Sequence, residues 1–295
     1  MQRTLNTACY LCGATDGSEV FVEDGVALRR CDRCRHVYST WEQDEHYAGY
    51  WDHGVDEADL SFWDDAHRPI HEQFIDRFVP APTGRLVDVG CGLGFFVAAM
   101  ARHRPGWRAD GYELAEAPVA WAHAHGLAGS VHQGLVEEAG IEPGSVDVIT
   151  MWDVVEHLTR PQPLLEALRS LLTPDGFLFL QTPSWPFQYA KARATVALDR
   201  GVVPGKHYLA AKDHVNQFSR ASLTRLAVDC GFQPPTFEVL LPILAVGGQR
   251  TRVGELAKLG VYHGTRALWQ ASRGRVMANP TLFAFLRPEG AVPWR

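Results

Sequence analysis

The feature that most constrains this chain is Leu86-Val87-Asp88-Val89-Gly90-Cys91-Gly92-Leu93-Gly94, followed by Phe95-Phe96-Val97-Ala98-Ala99-Met100. Apolar residues around one Asp predict a buried strand, and the run after the glycines predicts a helix. A strand that empties through glycines into a helix is the signature of a nucleotide site. Glycine permits the sharp turn and lets a ligand touch the main chain where a Cβ would stand. The spacing narrows the ligand. A dinucleotide turn needs G-x-G-x-x-G, whereas here the third glycine comes one place early and Phe95 fills its slot. A P-loop needs Gly-Lys-Ser/Thr, which is absent.

The pattern Val87-Asp88-Val89-Gly90-Cys91-Gly92-Leu93-Gly94 resembles motif I of class I S-adenosylmethionine-dependent methyltransferases. Downstream, Asp153-Val154-Val155-Glu156-His157-Leu158 is similar to the Asp-x-x-Glu-His-Leu segment of the subgroup that includes ubiquinone-type O-methyltransferases. Leu171-Leu172-Thr173-Pro174-Asp175-Gly176, Gln181-Thr182-Pro183 and Asp229-Cys230-Gly231-Phe232 match that subgroup in the same order. The resemblance covers roughly residues 84–240. It implies a doubly wound α/β fold, a Rossmann-like methyltransferase sheet of seven strands with the last one antiparallel. It also implies a cofactor, S-adenosylmethionine, bound beyond the carboxyl ends of the strands.

Element by element, the periodicities agree with α/β alternation. Helices are expected over 65–78, 115–125, 161–172 and 219–230, and strands over 107–112, 129–132, 145–151, 177–180, 236–240 and 281–285, with Pro174-Asp175-Gly176 as a turn. Two stretches, 183–215 and 243–278, interrupt the alternation. Long insertions on a rigid sheet are where binding function collects, so the first is expected to roof the pocket. The second carries Arg250, Arg252, Lys258, Arg266, Arg273 and Arg275 among apolar residues. It is read as amphipathic helix that packs on the body, lines the pocket, forms a dimer face or touches a membrane surface.

Four cysteines open the chain as two C-x2-C pairs, Cys9/Cys12 and Cys31/Cys34, with 18 residues between the pairs. That spacing fits a tetrahedral site for structural zinc, Zn2+. Glu19–Val22 and Val26–Arg29 read as a hairpin turning at Glu23-Asp24-Gly25. Residues 1–36 are therefore expected to be a zinc ribbon whose metal supplies folding energy that so few residues cannot. This end resembles a set of bacterial small-molecule methyltransferases with an appended ribbon. Residues 37–82 form an aromatic linker and lead-in helix, and 83–295 the methyltransferase domain. Tyr47, Tyr50 and Trp51 are candidates for a flap over the site, and packing of the linker's rings on the main domain is the alternative. Cys91 and Cys230 read as packed free thiols.

The resemblance assigns the cofactor to Asp88, Gly90, Cys91, Gly92, Gly94, Glu113, Leu114, Gly134, Leu135, Trp152 and Asp153. Glu113 stands 23 residues beyond Gly90, where the family places the carboxylate that accepts from the ribose hydroxyls. Leu135 stands where many relatives have an Asp, so adenine needs a backbone or neighbouring polar partner here. For proton removal from an acceptor, His157, His207 and His214 are the candidates, since imidazole titrates near neutral pH. Asp153 and Glu156 are alternatives, and His207, Asp213 and His214 have no recognised metal spacing. His123 and His125 are expected at the surface.

Charge and composition limit the partners. Against 34 acidic residues stand 28 basic ones, a net charge of −6, which gives no general attraction for nucleic acid or anionic membranes. No apolar run approaches 18 residues and no secretory signal is visible, so a cytoplasmic protein is expected. The reading is methyl transfer to a small-molecule acceptor, O-methylation of a metabolite first. The alternatives are a C- or N-methyltransferase on a sugar nucleotide or natural product, an RNA methyltransferase, and a non-catalytic binding protein. No nucleic-acid partner is expected, and a homodimer is left open.

Overall fold

The structure is a computed structural model that describes residues 6–41, 51–52, 54–243 and 252–291. The N-terminal hairpin, β1 (Gly17–Glu23) and β2 (Val26–Cys31), is followed by β3 (Val37–Ser39), α1 (Glu57–Leu60) and α2 (Arg68–Phe78). Then come β4 (Gly84–Val89), α3 (Phe95–His103), β5 (Trp107–Glu113), α4 (Glu116–Ala122), β6 (Val131–Gln133) and β7 (Val146–Trp152). The chain continues through α5 (Pro161–Leu171), β8 (Leu172–Pro183), α6 (Trp185–Asp199), β9 (Asn216–Gln217), α7 (Arg220–Asp229), β10 (Thr236–Glu238), α8 (Arg252–Ala271) and β11 (Thr281–Leu286).

Seven strands form the main sheet in the order β10-β11-β8-β7-β4-β5-β6. β4 lies parallel between β5 and β7, and β11 is antiparallel to both its neighbours, β8 and β10. Strict alternation along the central strands splits the core between two faces. Phe177 and Phe179 of β8 and Phe283 and Phe285 of β11 pack under α2 and α3, around Phe74. Leu178, Leu180, Leu282 and Ala284 point the other way, onto Leu165 and Leu168 of α5 and Leu223 and Leu226 of α7. The expected Pro174-Asp175-Gly176 turn is instead absorbed into β8. The pairing with β7 shifts between Val146 and Val148, so the three residues form an irregularity in a continuous strand.

Local signals set the helix ends. Ser219 caps α7 by accepting from Ser222 N in a reciprocal capping box, and Gly231, at φ +79°, follows its end. The expected helix over 65–78 is in two parts. A π-turn (Ser61–Ala66) precedes α2, and His67 joins them with its Nδ1 at 2.7 Å from the Phe62 carbonyl.

The cysteine hairpin is part of a larger sheet, β1-β2-β3-β9. It takes residues from both sides of position 36 and recruits a strand from beyond residue 215. The first insertion serves this sheet. Trp185, Tyr189 and Ala192 of α6 join Phe21, Val26 and Leu28 in one apolar cluster, and Tyr189 OH donates to the Val20 carbonyl. The buried Glu23 carboxylate then accepts from Tyr208 N and Leu209 N at 3.0 and 2.7 Å. The stretch expected to roof the pocket therefore mostly covers the hairpin. In the second insertion, α8 buries Tyr262, whose hydroxyl accepts from Gln73 of α2, and leaves Leu256 and Val261 exposed.

Phe74 is fully buried and its ring meets those of Phe78, Phe96, Trp152 and Phe179. Phe74→Ala is expected to lower unfolding free energy by about 3–5 kcal/mol, measured in urea. A loss under 1 kcal/mol would mean that this face carries little of the stability.

Candidate functional site

Parallel pairing brings the carboxyl ends of β4, β5, β6 and β7 to one edge, where a cavity of about 530 Å³ opens. This is the size of a small-molecule site. At its first corner the glycine turn runs through the left-handed region, with Gly90, Gly92 and Gly94 at φ +68°, +52° and +76°. A Cβ on Gly90 would stand 2.6 Å from Val154 Cγ2, so only glycine fits. Gly90, Cys91 and Gly92 line the cavity; Gly94 does not. Gly94 instead lies against Val131 and Leu127, where its missing Cβ lets α3 start close to the sheet.

At the end of β5, Glu113 accepts from Gly92 N (3.0 Å, Oε2) and Ala115 N (2.9 Å, Oε1). Each oxygen keeps a lone pair, so the carboxylate fastens the glycine turn and still presents acceptors to the cavity that it lines. Burial raises its pKa, and the backbone donors oppose that rise. Leu114, Gly134 and Leu135 line the same end, with Val136 and Glu137 beside them. Asp88 sits below the turn, 2% exposed, and accepts from Thr150 Oγ1 at 2.7 Å. Burial pushes its carboxyl up to about 7, against the Thr150 hydrogen bond and with help from Glu113.

Beyond β7 the chain turns at Asp153, whose φ of +51° is tolerable for an Asp but strained. Gln181 Nε2 on β8 holds its Oδ2 at 2.7 Å. Trp152 and Asp153 both line the cavity. Glu156 follows, 1% exposed, with no well-formed hydrogen bond to either carboxylate oxygen and the Thr182 hydroxyl beside it. Burial, and then the charge of Asp153, hold its pKa well above the usual range. His157 places Nδ1 2.9 Å from the Asp213 carbonyl. A carbonyl only accepts, so the proton resides on Nδ1 and the lone pair on Nε2. The His214 ring stands edge-on to it, with centroids 4.9 Å apart. Burial lowers both imidazoles, His214 to about 3, so both are neutral at neutral pH. One donor atom from each of Glu156, His157 and His214 lies within 4.8 Å of the others, an arrangement able to share a proton or hold a cation.

Among the other histidine candidates, His207 lies outside the cavity. Its side chain is 70% exposed, and its ring faces Glu23 on the hairpin at 4.0 Å. The physical reason is the Glu23 carboxylate, which ties the neighbouring backbone to the hairpin turn. His123 hydrogen-bonds the Val131 carbonyl, and His125 stacks on Trp121. Of the aromatic linker, Trp51 lines the cavity and is 8% exposed, while Tyr47 and Tyr50 fall outside the described residues. Phe62 and Trp63 of the same aromatic stretch and Gln188 of the first insertion also line it, though the sequence singles out none of them as a site residue. Phe62 and Trp63 arrive together on the π-turn before α2 and Gln188 on α6, and no spacing signal in the sequence relates the two elements.

The four N-terminal thiols meet as expected of a metal centre. Cys9 and Cys34 stand 3.5 Å apart, Cys12 and Cys31 3.6 Å, and all four Sγ atoms lie within 4.8 Å of one another. Tetrahedral zinc at about 2.3 Å from each sulfur needs sulfurs about 3.8 Å apart, so the donor set fits. No described helix is long and apolar enough to cross a membrane.

A family model described as a methyltransferase domain matches residues 62–234. The chain belongs to this methyltransferase family. Similar curated proteins are ubiquinone biosynthesis O-methyltransferases. That of Xanthomonas campestris pv. campestris (strain B100) is 36% identical over 122 residues, covering 40% of this chain and 50% of the relative. That of Hahella chejuensis (strain KCTC 2396) is 34% identical over 152 residues, covering 43% and 63%. The chain thus spans about half to two thirds of the length of these relatives. Among solved structures, the [4+2]-cyclase SpnF matches at TM-score 0.50 and 16% identity, over 88% of each chain. Haemonchus contortus phosphoethanolamine N-methyltransferase 2, in complex with phosphomonomethylethanolamine and S-adenosylhomocysteine, matches at TM-score 0.50 and 17% identity, over 86% of this chain and 62% of that one. These two likenesses define the fold alone.

The raised Asp88 pKa has a definite sign. A carboxyl whose folded pKa exceeds its unfolded value of about 3.9 contributes stability fully present below that value and lost as pH rises through about 7. Between pH 5 and 8 the ligand-free wild type should therefore lose about 2 kcal/mol relative to Asp88→Asn. Denaturant curves of both proteins at the two pH values measure this, and parallel curves would place the Asp88 pKa in the ordinary range.

Proposed function

We propose that this protein transfers a methyl group from S-adenosylmethionine to a small-molecule acceptor, with O-methylation of a metabolite as its reaction. The observation that carries the reading is one cavity with a carboxylate-fastened glycine turn at one end and a neutral histidine pair at the other. The residues present fit the cofactor. The left-handed Gly90 and Gly92 expose the backbone of the turn to the cavity, and Glu113 offers two acceptor oxygens to a ribose diol. Gly134 and Leu135 offer backbone to an adenine. Leu114, Trp152, Asp153, Cys91 and Asp88 complete the wall, and Gly94 acts from behind it by shaping the turn.

When bound, S-adenosylmethionine supplies a methyl on a positive sulfur, already activated for attack. The chain's task is then to fix distance and angle and to keep water out, effects that can supply about 7–11 kcal/mol. Trp51, Phe62 and Trp63 give the cavity an apolar wall that suits both the sulfonium and an aromatic or apolar acceptor. At the acceptor end His157 takes the proton at Nε2, because the Asp213 carbonyl holds the other proton on Nδ1. His214 sets the ring's position from the side. His207 has no part in this assignment.

At the N-terminus we assign one structural Zn2+ to Cys9, Cys12, Cys31 and Cys34, a closed site with no open coordination position. None of the six cysteines is paired in a disulfide, in keeping with a reducing, cytoplasmic setting.

Two measurements test these assignments. Calorimetric titration with S-adenosylhomocysteine should show one micromolar site per chain, weakened by about 10- to 100-fold in Glu113→Ala, where charged hydrogen bonds are lost. Unchanged affinity in that variant would remove Glu113 from the site, and absence of binding to wild type would overturn the cofactor reading. Metal analysis of the purified protein should give one zinc per chain, lost in Cys31→Ser together with thermal stability of the N-terminal sheet. A metal-free, fully stable wild type would overturn the zinc assignment.

A further inference from the structure

The cysteine sheet and the acceptor end of the cavity share one short strand. β9 (Asn216–Gln217) begins two residues after His214 and pairs antiparallel with β3, Tyr38 opposite Asn216 and Val37 opposite Gln217. The link continues around it, since Ser39 N donates to the Val215 carbonyl at 2.9 Å and Ser39 Oγ to the Ala211 carbonyl. The segment that carries Asp213 and His214 is therefore an edge of the cysteine sheet.

One side chain crosses from that sheet to the catalytic loop. Asn216 is 1% exposed. Its Nδ2 donates to the Leu158 carbonyl at 2.6 Å, directly after His157. Its Oδ1 stands 2.8 Å from Nε2 of His36, a fully buried residue two positions after Cys34. A carbonyl accepts only, so the Leu158 contact fixes which way the amide points and leaves Oδ1 to accept from His36 Nε2–H. Cys31 N in turn donates to the His36 carbonyl at 2.9 Å. A continuous buried path thus runs from the thiols through His36 and Asn216 to the backbone beside His157.

We propose that Asn216 is a positioning residue that couples the four-cysteine sheet to the His157–His214 pair, so that the metal-binding module sets the geometry of the acceptor end and not of the cofactor end. This rests on the assignment of His157 and His214 to the acceptor. Asn216 lines no part of the cavity and acts only through Leu158 and the segment that it anchors. Glu113 and the glycine turn hang on β4 and β5, whose hydrogen bonds do not involve the cysteine sheet. The two ends of the site can therefore be disturbed separately.

The test uses full-length protein with ring-15N-labelled histidine and the variants Asn216→Asp and Asn216→Leu. Asp keeps an acceptor toward His36 and loses the donor toward Leu158, while Leu loses both. Both variants should retain one zinc per chain and bind S-adenosylhomocysteine within about threefold of wild type. The His157 ring signals should shift and lose the single Nδ1–H tautomer, more in Leu than in Asp, while those of His123 and His125 stay. Unchanged His157 signals in both variants would overturn the proposal. So would a fall in S-adenosylhomocysteine affinity matching the His157 change, which would signify general loosening. Should Asn216→Leu fail to fold, Asn216→Asp decides alone. Chelation of wild type then supplies a second arm: zinc removal must move the His157 signals in the same direction, and failure to do so overturns the coupling. If wild type binds no S-adenosylhomocysteine, the cofactor reading falls, while the His157 spectra still decide whether the link exists.

Discussion

The seating of β4 between β5 and β7 is the constraint on which the site depends. Parallel strands release their side chains and carbonyl ends at one edge, so the glycine turn, Glu113, Gln133–Gly134 and Trp152–Asp153 emerge together although 63 residues separate Gly90 from Asp153. The hydrogen bond from Gly92 N to Glu113 locks the turn against its neighbour, and Gly111 allows Cys91 to pack there, since a Cβ on it would stand 2.7 Å from the Cys91 sulfur. The aromatic cluster around Phe74 keeps the strands in register from beneath. Binding geometry is therefore inherited from core packing, which is dense and tolerates little shift.

The second half of the site is built differently. His157 ends a single 3-10 turn and His214 stands on a loop, and segments this short need outside support to hold an angle. That support comes from the cysteine sheet, whose fourth strand is the segment after His214. The module also reaches the body elsewhere. Gln162 of α5 donates to the Tyr10 and Leu11 carbonyls, and Cys9, Leu11 and Tyr38 join the same apolar cluster as Leu165 and Leu223. A hairpin too small for a core of its own is completed by its host, and the host gains a brace for a loop.

The amino-acid order made part of this legible. The glycine turn, the α/β alternation, the position of Glu113 and the paired cysteines are local patterns, and local patterns survive in one dimension. The Ser219 cap and Gly231 marked α7 for the same reason. Other features were hidden. Pro174-Asp175-Gly176 has every mark of a turn, yet β7 supplies pairing on either side and carries the strand through it. His207 and His214 looked alike, seven residues apart in one polar stretch. Only the Glu23 carboxylate, nearly 190 residues upstream, explains why one faces the hairpin and the other the cavity.

What the sequence determined by itself is the fold class, the family, and the glycine turn and Glu113 carboxylate that meet at the ends of β4 and β5. Each rests on residues close in the chain whose conformations are steric necessities, such as the left-handed glycines after β4. The tertiary structure alone decided which of the candidate histidines meet, with His157 and His214 at the cavity and His207 on the hairpin. Trp63, His157 and the Asp213–Asn216 segment are far apart in the chain, and the last is seated by a two-residue strand too short to carry a periodic signal. A buried hydrogen bond such as that from Asn216 to Leu158 has no local signature, because its strength comes from exclusion of water by residues distant in the chain.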